Sequence, residues 1–143
     1  MSDALLEVRN VTKHFPITRG IIFQKQVAAV QAVDGVSLSV KKGETLGIVG
    51  ESGCGKSTLA RVIMRLLEPT SGEIIFDGHD ISRLSQSQMR PFRREMMMIF
   101  QDPYASLNSR KRVGFIVAEA LTVHKMGTDA EIKRRVQELL EVV

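Results

Sequence analysis

Hydrophobic and polar positions alternate in the first third of the chain, in a pattern that predicts β-strands. Loose alternation over residues 5–11 predicts a first strand, which we expect to end at Pro16. Strict alternation over 36–40 predicts a second strand, followed by a turn at 41–44. The stretch between them, residues 16–30, predicts an irregular insertion or the tip of a hairpin.

Three further apolar runs predict strands deeper in the fold. Residues 45–49 are short, apolar and rich in β-branched side chains, which is typical of a strand buried on both faces of a parallel sheet. Residues 72–76 predict a strand closed by an Asp-Gly turn, and 96–100 form a continuous apolar strand. Strands interleaved with helices indicate an α/β fold.

Helical spacing follows these runs. A helix is predicted from Lys56 until Pro69 and Gly72 stop it, and another over 113–124. A capping-box pair, Thr128 with Glu131, predicts the start of the last helix. Ser85 and Gln88 fit a second capping box for a short helix, but Pro91 leaves that segment ambiguous.

Composition restricts the class of protein without deciding it. The 143 residues carry 43% hydrophobic and 25% charged side chains, ordinary values for one soluble domain or part of one. No apolar run approaches the ~20 residues that span a bilayer, and the first residues do not resemble a signal peptide. One cysteine excludes an internal disulfide, so we expect a cytoplasmic protein. The net charge of +4 is not concentrated in a block, which argues against a nucleic-acid partner.

A glycine-rich loop follows the 45–49 run and opens the first helix. Its sequence, Gly50-Glu51-Ser52-Gly53-Cys54-Gly55-Lys56-Ser57-Thr58, matches the pattern G-x-x-x-x-G-K-[ST]. Glycines let backbone N–H groups approach and surround an anion. The Lys56 ammonium suits β- and γ-phosphates, and the Ser57 hydroxyl suits Mg²⁺. The phosphate loop, residues 50–58, therefore predicts a site for ATP, or a similar nucleoside triphosphate, with Mg²⁺.

Cys54 lies inside this loop and permits two interpretations. It is either a small side chain that fills the loop, or a reactive thiol whose pKa is lowered by Lys56 and the helix N-terminus. In the second case ATP should protect it from alkylation.

Together with the phosphate loop, several segments resemble the ATP-binding subunits of ABC transporters, in particular bacterial importers of oligopeptides, dipeptides, glutathione and nickel. These segments are HFP at 14–16, AVDGVS at 32–37, GETL at 43–46, PTSG at 69–72 and IFQDPYASLN at 99–108. The resemblance covers about residues 5–143, and the insertion at 16–30 is typical of the subfamily. Ser109 departs from it, because that group usually has proline there.

The resemblance implies an ABC-type P-loop NTPase core with an N-terminal antiparallel β portion, ending at the start of a helical subdomain. The β-rich portion and core would take about 5–100, and the Q-loop and helical start about 101–143. Phe15 would stack on adenine, with simple core packing as the alternative. Gln101 would be the Q-loop glutamine, which reaches Mg²⁺ or the attacking water. Residues 104–112 would receive the coupling helices of the membrane subunits, although 110–112 are otherwise an ordinary basic run.

The resemblance further implies a peripheral ATPase subunit at the cytoplasmic face of the plasma membrane, coupling ATP binding and hydrolysis to transport. Its partners would be a second ATPase subunit, permease subunits and, indirectly, an extracytoplasmic substrate-binding protein. The family's LSGGQ signature, Asp-Glu strand end and switch histidine do not occur, so we expect an N-terminal fragment with little or no activity alone. Alternatives are an ABC-type ATPase acting on nucleic acid, or a truncated product without function. The transported substrate is not determined.

Overall fold

The computed structural model describes residues 3–19, 25–102 and 106–143. The chain divides into two compact units, Met1–Met96 and Met97–Val143. This division does not test the predicted functional boundary near residue 100, which stays a prediction. The elements of the first unit are β1 (Ala4–Arg19), β2 (Lys25–Lys41), α1 (Lys56–Ile63), β3 (Ser71–Phe76), β4 (His79–Asp80), α2 (Gln86–Met89) and a 3₁₀ turn at Phe92–Arg94.

The four strands form one antiparallel sheet in the order β2-β1-β3-β4. β1 and β2 pair from Ala4 opposite Lys41 out to Arg19 opposite Lys25, so they form a long hairpin. The hairpin interpretation of residues 16–30 is therefore confirmed where the chain is described, and the irregular one is wrong; residues 20–24 lie outside the described part. The predicted strands at 5–11, 36–40 and 72–76 are all present.

Pro16 does not end the first strand, contrary to the prediction. β1 pairs with β3 only as far as Thr12, opposite Ser71, whereas it pairs with β2 to its end. Beyond Thr12 the strand therefore has a ladder on one side only in the described chain. A proline is tolerated in such an edge position because no second ladder requires its missing N–H.

The core of this unit lies between the sheet and the segments that pack against it. Val8, Val11 and Ile74 come from β1 and β3, and Val62 comes from α1; each is 1% exposed or less. The remaining members of the cluster are Phe76, Ile81 and Met89. Met89 belongs to α2, which begins at the predicted capping box.

Helix α1 ends at Ile63, before the predicted stop at Pro69. Arg65 has a left-handed conformation with φ 52°. Its N–H donates to the Val62 carbonyl at 2.9 Å. The N–H of residue 66 donates to the carbonyl of residue 61, also at 2.9 Å. This is the Schellman pattern, in which glycine usually takes the left-handed position.

The side chain of Arg65 explains why an arginine occupies that position. It is only 2% exposed, and it donates from Nε to the Ile81 carbonyl and from Nη2 to the Leu84 carbonyl, both at 2.9 Å. Arg93 in turn donates to the Met64 carbonyl at 3.1 Å. The two guanidinium groups thus tie the end of α1 to the segment that follows β4.

Two predicted strands, 45–49 and 96–100, are not strands in the structure. Val49 is 96% exposed, Ile48 47%, Ile99 89% and Met97 86%. The apolar pattern predicted buried strands here, but a strand requires a neighbour for its backbone groups. Among the described residues neither segment has one, so the parallel part of the predicted sheet is not formed.

The second unit contains α3 (Val113–Val123) and α4 (Asp129–Val142), which contact each other. Both helices were predicted. The capping box of α4 is confirmed, because the Thr128 N–H donates to Glu131 Oε2 at 2.8 Å and the Glu131 N–H to Thr128 Oγ1 at 3.4 Å. In the described part of the chain, no helix is long and apolar enough to cross a membrane.

Candidate nucleotide-binding site

The phosphate loop turns into α1 through two glycines with left-handed backbones. Gly53 has φ 84°, and Gly55, the N-cap residue, has φ 94°. A Cβ on Gly55 would lie 2.1 Å from the carbonyl oxygen of Ala32 on β2, whereas one on Gly53 would meet nothing within 4 Å. Gly55 is therefore required by both conformation and space, and the loop rests directly against β2.

The ammonium of Lys56 lies inside the loop. It donates to the carbonyls of Gly50 and Glu51 at 2.6 Å each, and it lies 3.3 Å from Cys54 Sγ. These contacts account for its three hydrogens. They place a positive charge at the centre of a ring of backbone, half-buried and close to the helix terminus.

The thiol of Cys54 is exposed and faces this ammonium. The hydrogen bond from Lys56 lowers the pKa of Cys54, with a smaller opposing effect of desolvation. Cys54 also fills the loop, since a Cβ on Gly50 would lie 2.8 Å from its sulfur. The geometry is compatible with both interpretations of the residue.

The N-terminus of α1 is open to an anion. No side chain caps it, and its first turn contains no acidic residue. The first N–H groups of a helix have no intrahelical acceptor and carry a partial positive charge. Together with Lys56, they provide the donors that a polyphosphate needs.

Ser57, the predicted Mg²⁺ ligand, lies in the first turn of α1 with its side chain exposed. In the described residues no group of three or more His, Cys, Asp or Glu side chains could hold a metal. The hydroxyl of Ser57 is an oxygen ligand of the kind that Mg²⁺ takes, alongside water and substrate phosphates.

Phe15 lies on β1 in the same unit as the phosphate loop, opposite Val30 of β2. Its ring is 37% exposed, and the ammonium of Lys13 lies 5.0 Å from the ring centroid. The ring is thus not fully packed in the core. Its contact with adenine stays a prediction.

Gln101 belongs to the second unit, where it is exposed. In the adjoining segment the Ser106 hydroxyl donates to the Asp102 carbonyl at 2.8 Å. Of the predicted coupling surface at 104–112, residues 104 and 105 lie outside the described chain. The roles of Gln101 and of this surface stay predictions.

Two features of the site were not predicted from the sequence. One is the Ala32 carbonyl against Gly55, a contact across 23 positions that no local pattern could reveal. The other is Lys13 on the Phe15 ring. Its spacing of two residues on a strand could have indicated it, because such residues share a face.

A glycine loop with an enclosed lysine at the N-terminus of a helix defines a phosphate-binding-loop protein. The family model "ABC transporter" matches residues 33–143, and the chain belongs to this family. The solved structure of the ATP-binding cassette MJ0796 bound to ADP and Pi is 27% identical, with a TM-score of 0.74, and the match covers 95% of this chain and 56% of that one. The predicted fold class is thereby confirmed.

Curated relatives confirm the resemblance to the peptide-importer subfamily. The oligopeptide transport ATP-binding protein AppF of Bacillus subtilis is 54% identical over 139 residues, which are 96% of this chain and 42% of AppF. OppF of the same organism is 50% identical over 145 residues, covering 100% of this chain and 45% of OppF. The chain spans less than half the length of these relatives.

Proposed function

We propose that the chain binds ATP with Mg²⁺ at the phosphate loop, as part of an ATPase subunit of a peptide-type ABC importer. The observation that carries the proposal is the Lys56 ammonium, enclosed by loop carbonyls at 2.6 Å at the N-terminus of an uncapped helix. Such a site is complementary to an anion such as a polyphosphate.

Each residue has a part in this proposal. The N–H groups of the loop and of the first turn of α1 hold the phosphates, and Lys56 turns from the loop carbonyls toward the β- and γ-phosphates. Ser57 contributes its hydroxyl to Mg²⁺, which neutralises phosphate charge when bound. Phe15 stacks on the base, a contact of about 1–3 kcal/mol in nucleic-acid systems. Gln101 positions Mg²⁺ or the attacking water.

The proposal of peptide transport rests on the relatives, whose names describe oligopeptide transport ATP-binding proteins. We propose that residues 104–112 bind permease subunits, with a second ATPase subunit as the further partner and an extracytoplasmic binding protein acting indirectly. This places the protein at the cytoplasmic face of the membrane. Which peptide or other substrate is carried would be decided by those partners.

We further propose that these 143 residues bind ATP and hydrolyse it very slowly by themselves. No Asp-Glu pair follows an apolar strand in the sequence, so no general base is provided in the family's manner. General acid–base catalysis typically contributes 10²–10⁴-fold to a rate.

The test is ATP binding with Mg²⁺ by the purified chain, measured by calorimetry, beside Lys56→Ala and Lys42→Ala. Lys42 is an exposed lysine in the turn after β2, so it matches the change in charge. Loss of hydrogen bonds to a charged group costs about 1.5–3 kcal/mol, so Lys56→Ala should weaken binding about tenfold or more. Lys42→Ala should change it less than about twofold. Equal effects of the two substitutions would reject the phosphate loop as the site.

A further inference from the structure

The ring of Phe15 already has a partner in the structure, the ammonium of Lys13. Nζ lies 5.0 Å from the ring centroid, and the two side chains share a face of β1 because they are two residues apart. In the described chain, Lys13 forms no ion pair with a carboxylate. The ring contact is therefore its principal interaction there.

The strand is held firmly at this point. The His14 N–H donates to Thr70 Oγ1 at 2.9 Å, and His14 Nε2 lies 3.3 Å from Asp34 Oδ1. With the backbone fixed between them, Lys13 and Phe15 cannot separate by a local slip of the strand. Separating the ammonium from the ring therefore requires a rotation of one of the two side chains.

The phosphate loop approaches the sheet at the same register. Gly55 rests against the carbonyl of Ala32, which lies between the β2 residues paired with Lys13 and with His14. Phe15 is the next residue along β1. The Lys13–Phe15 pair therefore lies on the strand beside the part of β2 that the phosphate loop contacts, and the proposed function has the base stack there.

We infer that Lys13 determines how strongly the site prefers a nucleotide over a bare triphosphate, because it occupies a face of Phe15 that the base needs. The inference rests on the proposed function. Stacked rings have centroids about 4.5–7 Å apart, so an ammonium at 5.0 Å takes the position of a base ring. Stacking on that face displaces the ammonium and breaks the cation–π contact.

The test compares dissociation constants for ATP and for inorganic tripolyphosphate, both with Mg²⁺, in the unaltered chain and in Lys13→Met. Methionine keeps an apolar stem and removes the charge. The cation–π contact at an exposed site corresponds to about two- to fivefold in binding. The affinity ratio of ATP to tripolyphosphate should therefore rise about two- to fivefold in Lys13→Met, and Lys42→Met should leave the ratio unchanged. Removing the charge of Lys13 weakens the attraction to the phosphates of both ligands, so this effect cancels in the ratio of the two affinities.

A second variant separates the ring contact from other effects. In Phe15→Leu the ring is absent, so adding Lys13→Met should no longer change the ratio. A ratio that stays the same or falls in Lys13→Met alone would overturn the inference while leaving the proposed function standing. If the unaltered chain binds no ATP, both are overturned. An NMR spectrum of the free chain without the upfield ring-current shift of the Lys13 ε-methylene protons would overturn the inference by itself.

Discussion

Replacing Gly55 by alanine should damage the phosphate loop far more than the same change at Gly53. Both glycines have left-handed backbones, with φ 94° and 84°. They differ in their surroundings, because the new Cβ would lie 2.1 Å from the Ala32 carbonyl oxygen at Gly55 and more than 4 Å from any atom at Gly53. The pair therefore separates the backbone cost from the steric cost.

The magnitudes follow from these two terms. A left-handed backbone costs an alanine about 1–2 kcal/mol, which both variants suffer. A contact at 2.1 Å cannot be relieved by a side-chain rotation, since the atom met is a backbone carbonyl oxygen of β2. Overpacking of this kind typically adds about 1–3 kcal/mol. We expect Gly53→Ala to destabilise the chain by about 1–2 kcal/mol and Gly55→Ala by about 2–5 kcal/mol.

Urea unfolding followed by circular dichroism measures the free energies of unfolding, and calorimetry measures ATP affinity. Gly55→Ala should also bind ATP more weakly than Gly53→Ala, because moving the loop away from β2 turns the N–H groups of α1 away from the phosphates. If the two variants are equal in both stability and ATP affinity, the contact between the loop and β2 does not support the site.

Three further predictions concern other contacts. Arg65→Ala should destabilise the chain by about 2–4 kcal/mol, since two carbonyls lose their charged donor. Arg65→Gly should be about 1 kcal/mol more stable than Arg65→Ala, because glycine adopts the left-handed backbone freely. A urea midpoint for Arg65→Gly that is no higher than that for Arg65→Ala would contradict this. Thr128→Ala should cost α4 about 1 kcal/mol. The hydrogen bonds from Thr128 lower the pKa of Glu131 in the folded chain. The stability that Glu131 contributes is therefore present above its unfolded-state pKa and is lost as the pH falls through its folded-state pKa. Helicity should fall on acidification of the unaltered chain but not of Thr128→Ala. Cys54 should be alkylated faster than free cysteine at neutral pH, because Lys56 lowers its pKa. Its alkylation should be slower in Lys56→Ala and slower when ATP is bound. An alkylation rate that changes neither with the substitution nor with ATP would disprove the Lys56 contact in solution.

Much of the candidate site could be predicted from the sequence because its chemistry is local. The nine residues of the phosphate loop contain the glycines, the lysine and the hydroxyl, and the last three of them are the first residues of the helix. The structure adds that Lys56 turns back onto the loop carbonyls, which a pattern of residue types does not contain. The environments of Phe15 and Gln101 depend on other segments, so the sequence supports their roles only through resemblance.

The sequence by itself determined the phosphate loop and the capping box at Thr128, because these depend on neighbours a few residues apart. It indicated strands at 5–11 and 36–40, but not their pairing out to Arg19 and Lys25. The tertiary structure alone decided that Arg65 ends α1, that Gly55 rests on β2, and that residues 45–49 remain outside the sheet. The physical reason is the same in each case. A buried guanidinium needs distant carbonyls, a close approach needs a second strand, and a strand needs a ladder partner, and an apolar pattern specifies none of these.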